Sequence, residues 1–122
     1  MNIDVLIYEA IGASMAVYNT LGPGLLESVY EKAMCREFAL RKLDVVTQVP
    51  VEIMYKGAKV GSELYMDLLV EDTLIIELKS VETLKPVHFR RLRTYMKLLD
   101  KPAGLLVNFH VSDFSDGYRV IK

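Results

Sequence analysis

Three charged residues stand inside two apolar, strand-like segments. Asp67 lies in Tyr65-Met66-Asp67-Leu68-Leu69-Val70, and Glu77 and Lys79 lie in Leu74-Ile75-Ile76-Glu77-Leu78-Lys79. Residues two apart in a strand share a face, so Glu77 and Lys79 point the same way. The short break at Glu71-Asp72 allows a hairpin that brings Asp67 beside them. Burying one unpartnered carboxylate is costly, and burying two side by side costs more. A divalent cation neutralises both. Two carboxylates with an ammonium beside them therefore suit Mg²⁺ or Mn²⁺, with Lys79 placed to assist a water or steady a phosphate. The plainer reading is a cross-strand ion pair of Lys79 with Asp67 or Glu77 on a solvent-facing sheet. The apolar flanks on both sides point instead to central strands.

The elements that position these groups follow from hydrophobic period and breakers. Ile3, Leu6, Ile7, Ala10, Ile11, Ser14, Val17 and Tyr18 recur at helical spacing over 3–20, and Leu21-Gly22-Pro23-Gly24 ends that helix. A second helix is expected from about Leu26 to Leu40, with Glu27 and Glu31 near its start. Val45–Tyr55 alternates and is rich in β-branched residues, with Pro50 marking an edge or a bulge. Lys56-Gly57 turns the chain into a second strand, Lys59–Val70, and a third runs Thr73–Ser80. Pro86 opens a helix to about Leu99, Gly104–Phe109 reads as a strand buried on both faces, and Gly117–Ile121 as a last short strand. The order is ααβββαβ(β), and the last helix supplies a crossover of the kind that makes strands parallel.

At 122 residues, with 52% apolar and 25% charged residues, the chain reads as one folded domain over 1–122 with a real core. The single cysteine, Cys35, has no internal partner, sits in a helical pattern and reads as packing; a reduced, cytoplasmic setting is the expectation. No signal-peptide pattern and no membrane-length apolar run is present. A net charge of −1 argues against tight nonspecific DNA binding as the main task. The charge is uneven: Lys79, Lys85, Arg90, Arg91, Arg93, Lys97 and Lys101 face only Glu82 and Asp100 over 79–101, a local +5 that leaves −6 elsewhere. That stretch, with Arg90, Arg91, Arg93 and Lys97 at its centre, offers contacts to a nucleic-acid backbone. Its plainer reading is a solvated helix face.

A second constellation is Gly24-Leu25-Leu26-Glu27-Ser28-Val29-Tyr30, in which Glu27 and Tyr30 share a helix face. Glu27 could add a carboxylate to the metal site, with Tyr30 beside it as a site-lining residue; on residue type alone Glu27 complements the helix start and Tyr30 reads as a core-edge aromatic. His88 and His110 are too far apart in sequence and too isolated to suggest zinc. His88 could approach a phosphate, though its plainer reading is a capping or surface residue, and Asn108 reads as satisfying a backbone group at a strand end.

Taken together, Gly24-x-x-Glu27-x-x-Tyr30, Gln48-x-Pro50-Val51, Tyr55-Lys56-Gly57, Asp67-Leu68-Leu69-Val70, Glu77-Leu78-Lys79-Ser80 and Gly104-Leu105-Leu106-Val107-Asn108-Phe109 resemble the GxxExxY family of the PD-(D/E)XK nuclease-like superfamily. The resemblance spans nearly the whole chain. It implies a restriction-endonuclease-like α/β core, a central mixed sheet flanked by helices. It also implies Asp67 and Glu77 as metal-binding acids, Lys79 as the superfamily lysine, Glu27 as the helix glutamate, and Gln48 as an added polar group. Three positions depart from the pattern: Tyr18 stands where members often carry histidine, Ala16 where a glutamate is common nearby, and Arg91 where a glutamine is usual. Each change removes a group that lines the site, so the resemblance carries metal binding further than catalysis. Two functions follow: a small metal-dependent nuclease acting on nucleic acid, with a homodimer extending its footprint, or a noncatalytic module of the same fold that binds a protein, nucleic acid or small ligand.

Overall fold

A computed structural model describes the backbone of residues 1–122 and all side chains except those of residues 62 and 63. The chain runs α1 (Ile3–Leu21), α2 (Glu27–Leu40), β1 (Val45–Tyr55), β2 (Ala58–Val70), β3 (Leu74–Lys79), α3 (Pro86–Leu98), β4 (Ala103–Asn108), a 3₁₀ turn (Phe114–Asp116) and β5 (Tyr118–Ile121). The expected elements are all present, with ends displaced by a residue or so; only the 3₁₀ turn lacked a sequence signal. The strands form one mixed sheet in the order β1-β2-β3-β4-β5. Every pairing is antiparallel except β3 with β4, which the α3 crossover makes parallel. This is the expected α/β, restriction-endonuclease-like arrangement.

Each face of the sheet has its own core. On one, Leu6, Ala10, Ala13 and Val17 of α1 and Tyr30, Met34 and Phe38 of α2 pack on Leu68, Leu74, Ile76, Leu78, Leu105 and Val107. On the other, Leu92, Tyr95 and Met96 of α3 pack on Val51, Met66, Leu69, Ile75 and Leu106. β3 and β4 are thus covered on both sides, as their unbroken apolar runs demanded. Gly104 lets α3 come close: a Cβ there would lie 2.9 Å from the Leu92 side chain. Helix α1 starts under an Asn2 cap that accepts the Asp4 N–H at 2.7 Å and stops at Gly22, whose φ of 70° favours glycine.

β1 is an edge strand, which is where Pro50 belongs. It pairs with β2 from Val45↔Val70 out to Tyr55↔Ala58, whereas β2 pairs with β3 only over Leu68↔Ile76, Leu69↔Ile75 and Val70↔Leu74. Beyond Leu68 the β1–β2 hairpin therefore leaves the sheet as a two-stranded arm.

Candidate active site

The site lies where β2 parts from β3. One step past the last pair, Leu68↔Ile76, come Asp67 and Glu77. Their side chains take over the ladder's hydrogen bonding: the Leu78 N–H donates to Asp67 Oδ2 at 2.7 Å, and the Asp67 N–H donates to Glu77 Oε1 at 3.2 Å. Strand alternation breaks at the same point, since Met66 and Leu69 pack in the α3 layer while Leu68 and Val70 pack under α1 and α2. Gln48 faces Asp67 across the hairpin, with a φ of 50° that takes it out of the β1–β2 ladder. Its Nε2 donates to Glu31 Oε1 at 2.8 Å and, more weakly, to Asp67 Oδ1 at 3.4 Å.

Glu77 is 5% exposed, which removes the solvent-facing reading of its strand. Burial, and then the nearby charge of Asp67, push its carboxyl up from 4.5 to about 7. The Asp67 N–H bond and the charges of Lys79 and Arg91 oppose that rise. Lys79 is half-buried and belongs to no ion pair among the described residues, so the cross-strand pair expected on residue type is not formed. From α3, the Tyr95 hydroxyl is pushed up by burial and by Glu77.

Asp67 opens onto a cleft of about 190 Å³ lined by Glu27, Ser28, Glu31, Gln48 and Leu78. Glu27 shares this cleft with Asp67 but is anchored elsewhere: its Oε1 accepts the Ser80 N–H at 3.2 Å, and Ser80 Oγ donates to the Leu25 carbonyl at 2.9 Å. Tyr30, expected to line the site, lies below it. It is fully buried, stacked on Phe109 with ring centres 4.1 Å apart, and its hydroxyl donates to the Gly22 carbonyl and accepts the Leu25 N–H. Its work is to fix the turn that leads into Glu27. Glu31 was missed as a lining residue, although its place four after Glu27 puts both on one helix face. Asn108, 2% exposed, clamps Val81 by accepting its N–H at 3.1 Å and donating to its carbonyl at 2.8 Å, which ties down the chain after Lys79.

The four expected backbone-contacting residues divide. Arg90, Arg93 and Lys97 follow a spacing of three and four along α3, opposite its buried Leu92 and Met96, and form an outward ridge. Arg91 stands on the flank beside Tyr95, where its charge acts on Glu77, Tyr95 and His88.

Among the described residues, no three His, Cys, Asp or Glu side chains are grouped so as to hold a metal. The donor set is the pair Asp67–Glu77. Both are hard oxygen donors, and holding them together at the cost of raising Glu77 suits Mg²⁺, which typically takes one or two carboxylates and completes its shell with water and phosphate. The donors therefore fit a divalent cation.

A family model described as the PD-(D/E)XK nuclease superfamily matches residues 4–121. The chain belongs to that superfamily. No curated protein and no solved structure matches it. No helix among the described residues is long and apolar enough to cross a membrane.

Proposed function

We propose that the protein is a metal-dependent nuclease that hydrolyses phosphodiester bonds in nucleic acid, and that within its superfamily it sides with the GxxExxY group. The observation that carries the reading is the side-chain bonding at the parting of β2 and β3, where Glu77 accepts the Asp67 N–H and Asp67 accepts the N–H of Leu78, the residue after Glu77. It holds the buried Glu77 carboxylate near the half-buried one of Asp67, and neither has an ion-pair partner among the described residues. Asp67 and Glu77 hold Mg²⁺ or Mn²⁺, which supplies charge neutralisation and a more acidic water. Lys79, on the strand face of Glu77, orients the attacking water or steadies charge on the phosphate. Glu27, at the rim of the Asp67 cleft, keeps the Ser80 backbone in place and accepts hydrogen bonds from solvent entering the site. Gln48 holds Asp67 toward the cleft. The ridge of Arg90, Arg93 and Lys97 attracts the backbone of the substrate.

The noncatalytic reading rests on Arg91. A guanidinium close enough to act on Glu77 is a built-in countercharge where the usual glutamine carries none. Calorimetric titration of Mg²⁺ and Mn²⁺ into wild type and Asp67→Asn, followed by labelled single- and double-stranded DNA and RNA, separates the two. Saturable metal binding lost in the variant, with cleavage that follows it, supports the nuclease. No binding at millimolar metal supports the module.

A further inference from the structure

A second cleft, of about 330 Å³, lies between the loop after β3 and the start of α3, lined by Val81, Glu82, Thr83, Lys85 and His88. We propose that it is a subsite for a nucleic-acid phosphate neighbouring the one at the carboxylate pair, with His88 Nε2–H and the Lys85 ammonium as its donors. The proposal deepens the nuclease reading and rests on it for the identity of the ligand.

Geometry fixes what His88 can offer. Its Nδ1 accepts the Lys85 N–H at 3.0 Å, so that nitrogen carries no proton. The neutral ring then has its N–H at Nε2, the atom left for a ligand. Protonating the ring would set two N–H groups against each other and break the cap. The surroundings oppose protonation as well: burial and the charges of Lys79, Arg91 and Lys85 lower its pKa, while Glu27 alone among the charges acting on it raises it. His88 is therefore a neutral donor held in one tautomer. Lys85 is exposed at the same cleft and supplies the charge. Glu82, the one carboxylate of the lining, is solvent-exposed. The same groups tie the cleft to the first site: Glu27 lines the Asp67 cleft and Lys79 follows Glu77 on β3, and both act on His88.

The test uses the full chain and a fluorescein-labelled single-stranded oligonucleotide, with binding read by anisotropy without metal and, separately, cleavage with Mg²⁺. Thr83→Glu places a negative charge in the cleft and leaves the cap intact, while Lys85→Ala removes the cation. Each is expected to weaken binding roughly tenfold, and Lys85→Ala to lower the salt slope by about 1. In cleavage, KM should rise with kcat unchanged. His88→Ala should match Thr83→Glu in binding, with its unfolding midpoint recorded to allow for the lost cap. ¹⁵N shifts of His88 should show the Nε2–H tautomer throughout and a movement on adding oligonucleotide. Inorganic phosphate that moves the His88 signal as the oligonucleotide does, in a protein whose oligonucleotide affinity Thr83→Glu leaves intact, would make this a free-phosphate site and overturn the proposal. Unchanged affinity in Thr83→Glu and Lys85→Ala would also overturn it. Weakened binding in a protein that cleaves nothing would uphold the subsite and reject the nuclease.

Discussion

The two neighbours of β3 treat it differently. On one side β4 pairs with it along its whole length, from Leu74↔Ala103 to Lys79↔Asn108. On the other, β2 pairs over three residues and then departs, leaving the Glu77 side chain to accept the Asp67 N–H and the Asp67 side chain to accept the Leu78 N–H. The closed flank keeps the strand paired through its last residue, Lys79. The open flank brings the acids together, because a carboxylate that replaces a ladder carbonyl must reach into the gap between strands. In this fold the two acids meet where pairing stops, and the pairing that continues next door makes the stop tolerable.

The largest expected difference between the flanks is in activity. Asp67→Asn keeps an amide oxygen for the Leu78 N–H, so stability should change by less than about 1 kcal/mol. Cleavage should fall about a thousandfold or more, read from initial rates on a labelled oligonucleotide. A fold lost together with activity would mean that the open flank is structural first.

Next comes pH. The folded Glu77 carboxyl is raised from 4.5 to about 7, so folding takes up a proton in this window. The stability it contributes is fully present below about 4.5 and is lost as pH rises through about 7, on the order of 3 kcal/mol in all. Urea unfolding of the metal-free protein should therefore show Glu77→Gln gaining over wild type at pH 8 and not at pH 4.5. Mg²⁺ should narrow the gap at pH 8. An equal gap at both values would sink the assignment of the shift to Glu77.

The closed flank should respond in stability alone. Asn108→Ala strips Val81 of both backbone partners at a cost of about 1–3 kcal/mol, and Gly104→Ala drives a methyl against Leu92 at a similar cost. Both should shift the urea midpoint while metal affinity per folded molecule stays the same. The smallest effect belongs to neither flank: Arg93→Ala, on the outward ridge, should leave stability within about 0.5 kcal/mol and reduce the salt slope of nucleic-acid binding by about 1.

Much of this was legible in the sequence, for stated reasons. Hydrophobic period and the Gly-Pro breakers placed all eight expected elements. The apolar stretch Gly104–Phe109 announced a strand covered on both sides, and the charges in two such runs announced that Asp67 would lie beside Glu77. What the sequence could not carry were events without a periodic signal. Nothing in Gln48 marks a left-handed backbone, so the break in alternation at Asp67 was invisible, as was the exchange of backbone bonds it permits. Tyr30 shares a helix face with Glu27, yet the depth of that face was set by Phe109, about eighty positions away. Arg90, Arg91 and Arg93 look alike in a row, and only the packing of Leu92 and Tyr95 sends Arg91 toward Glu77 and the others outward.

The hairpin that leaves the sheet has a mechanical meaning. It is a cantilever of eight residues on β1 (48–55) and ten on β2 (58–67) that springs from the Gln48–Asp67 position, and Val49, Val51 and Met66 bed its first part against α3. A beam fixed at one end concentrates bending at its root. Here the bedding of Val51 and Met66 on α3 moves that root outward, so a load on the tip is taken first by the α3 layer and the two acids sit on the sheltered side of the hinge.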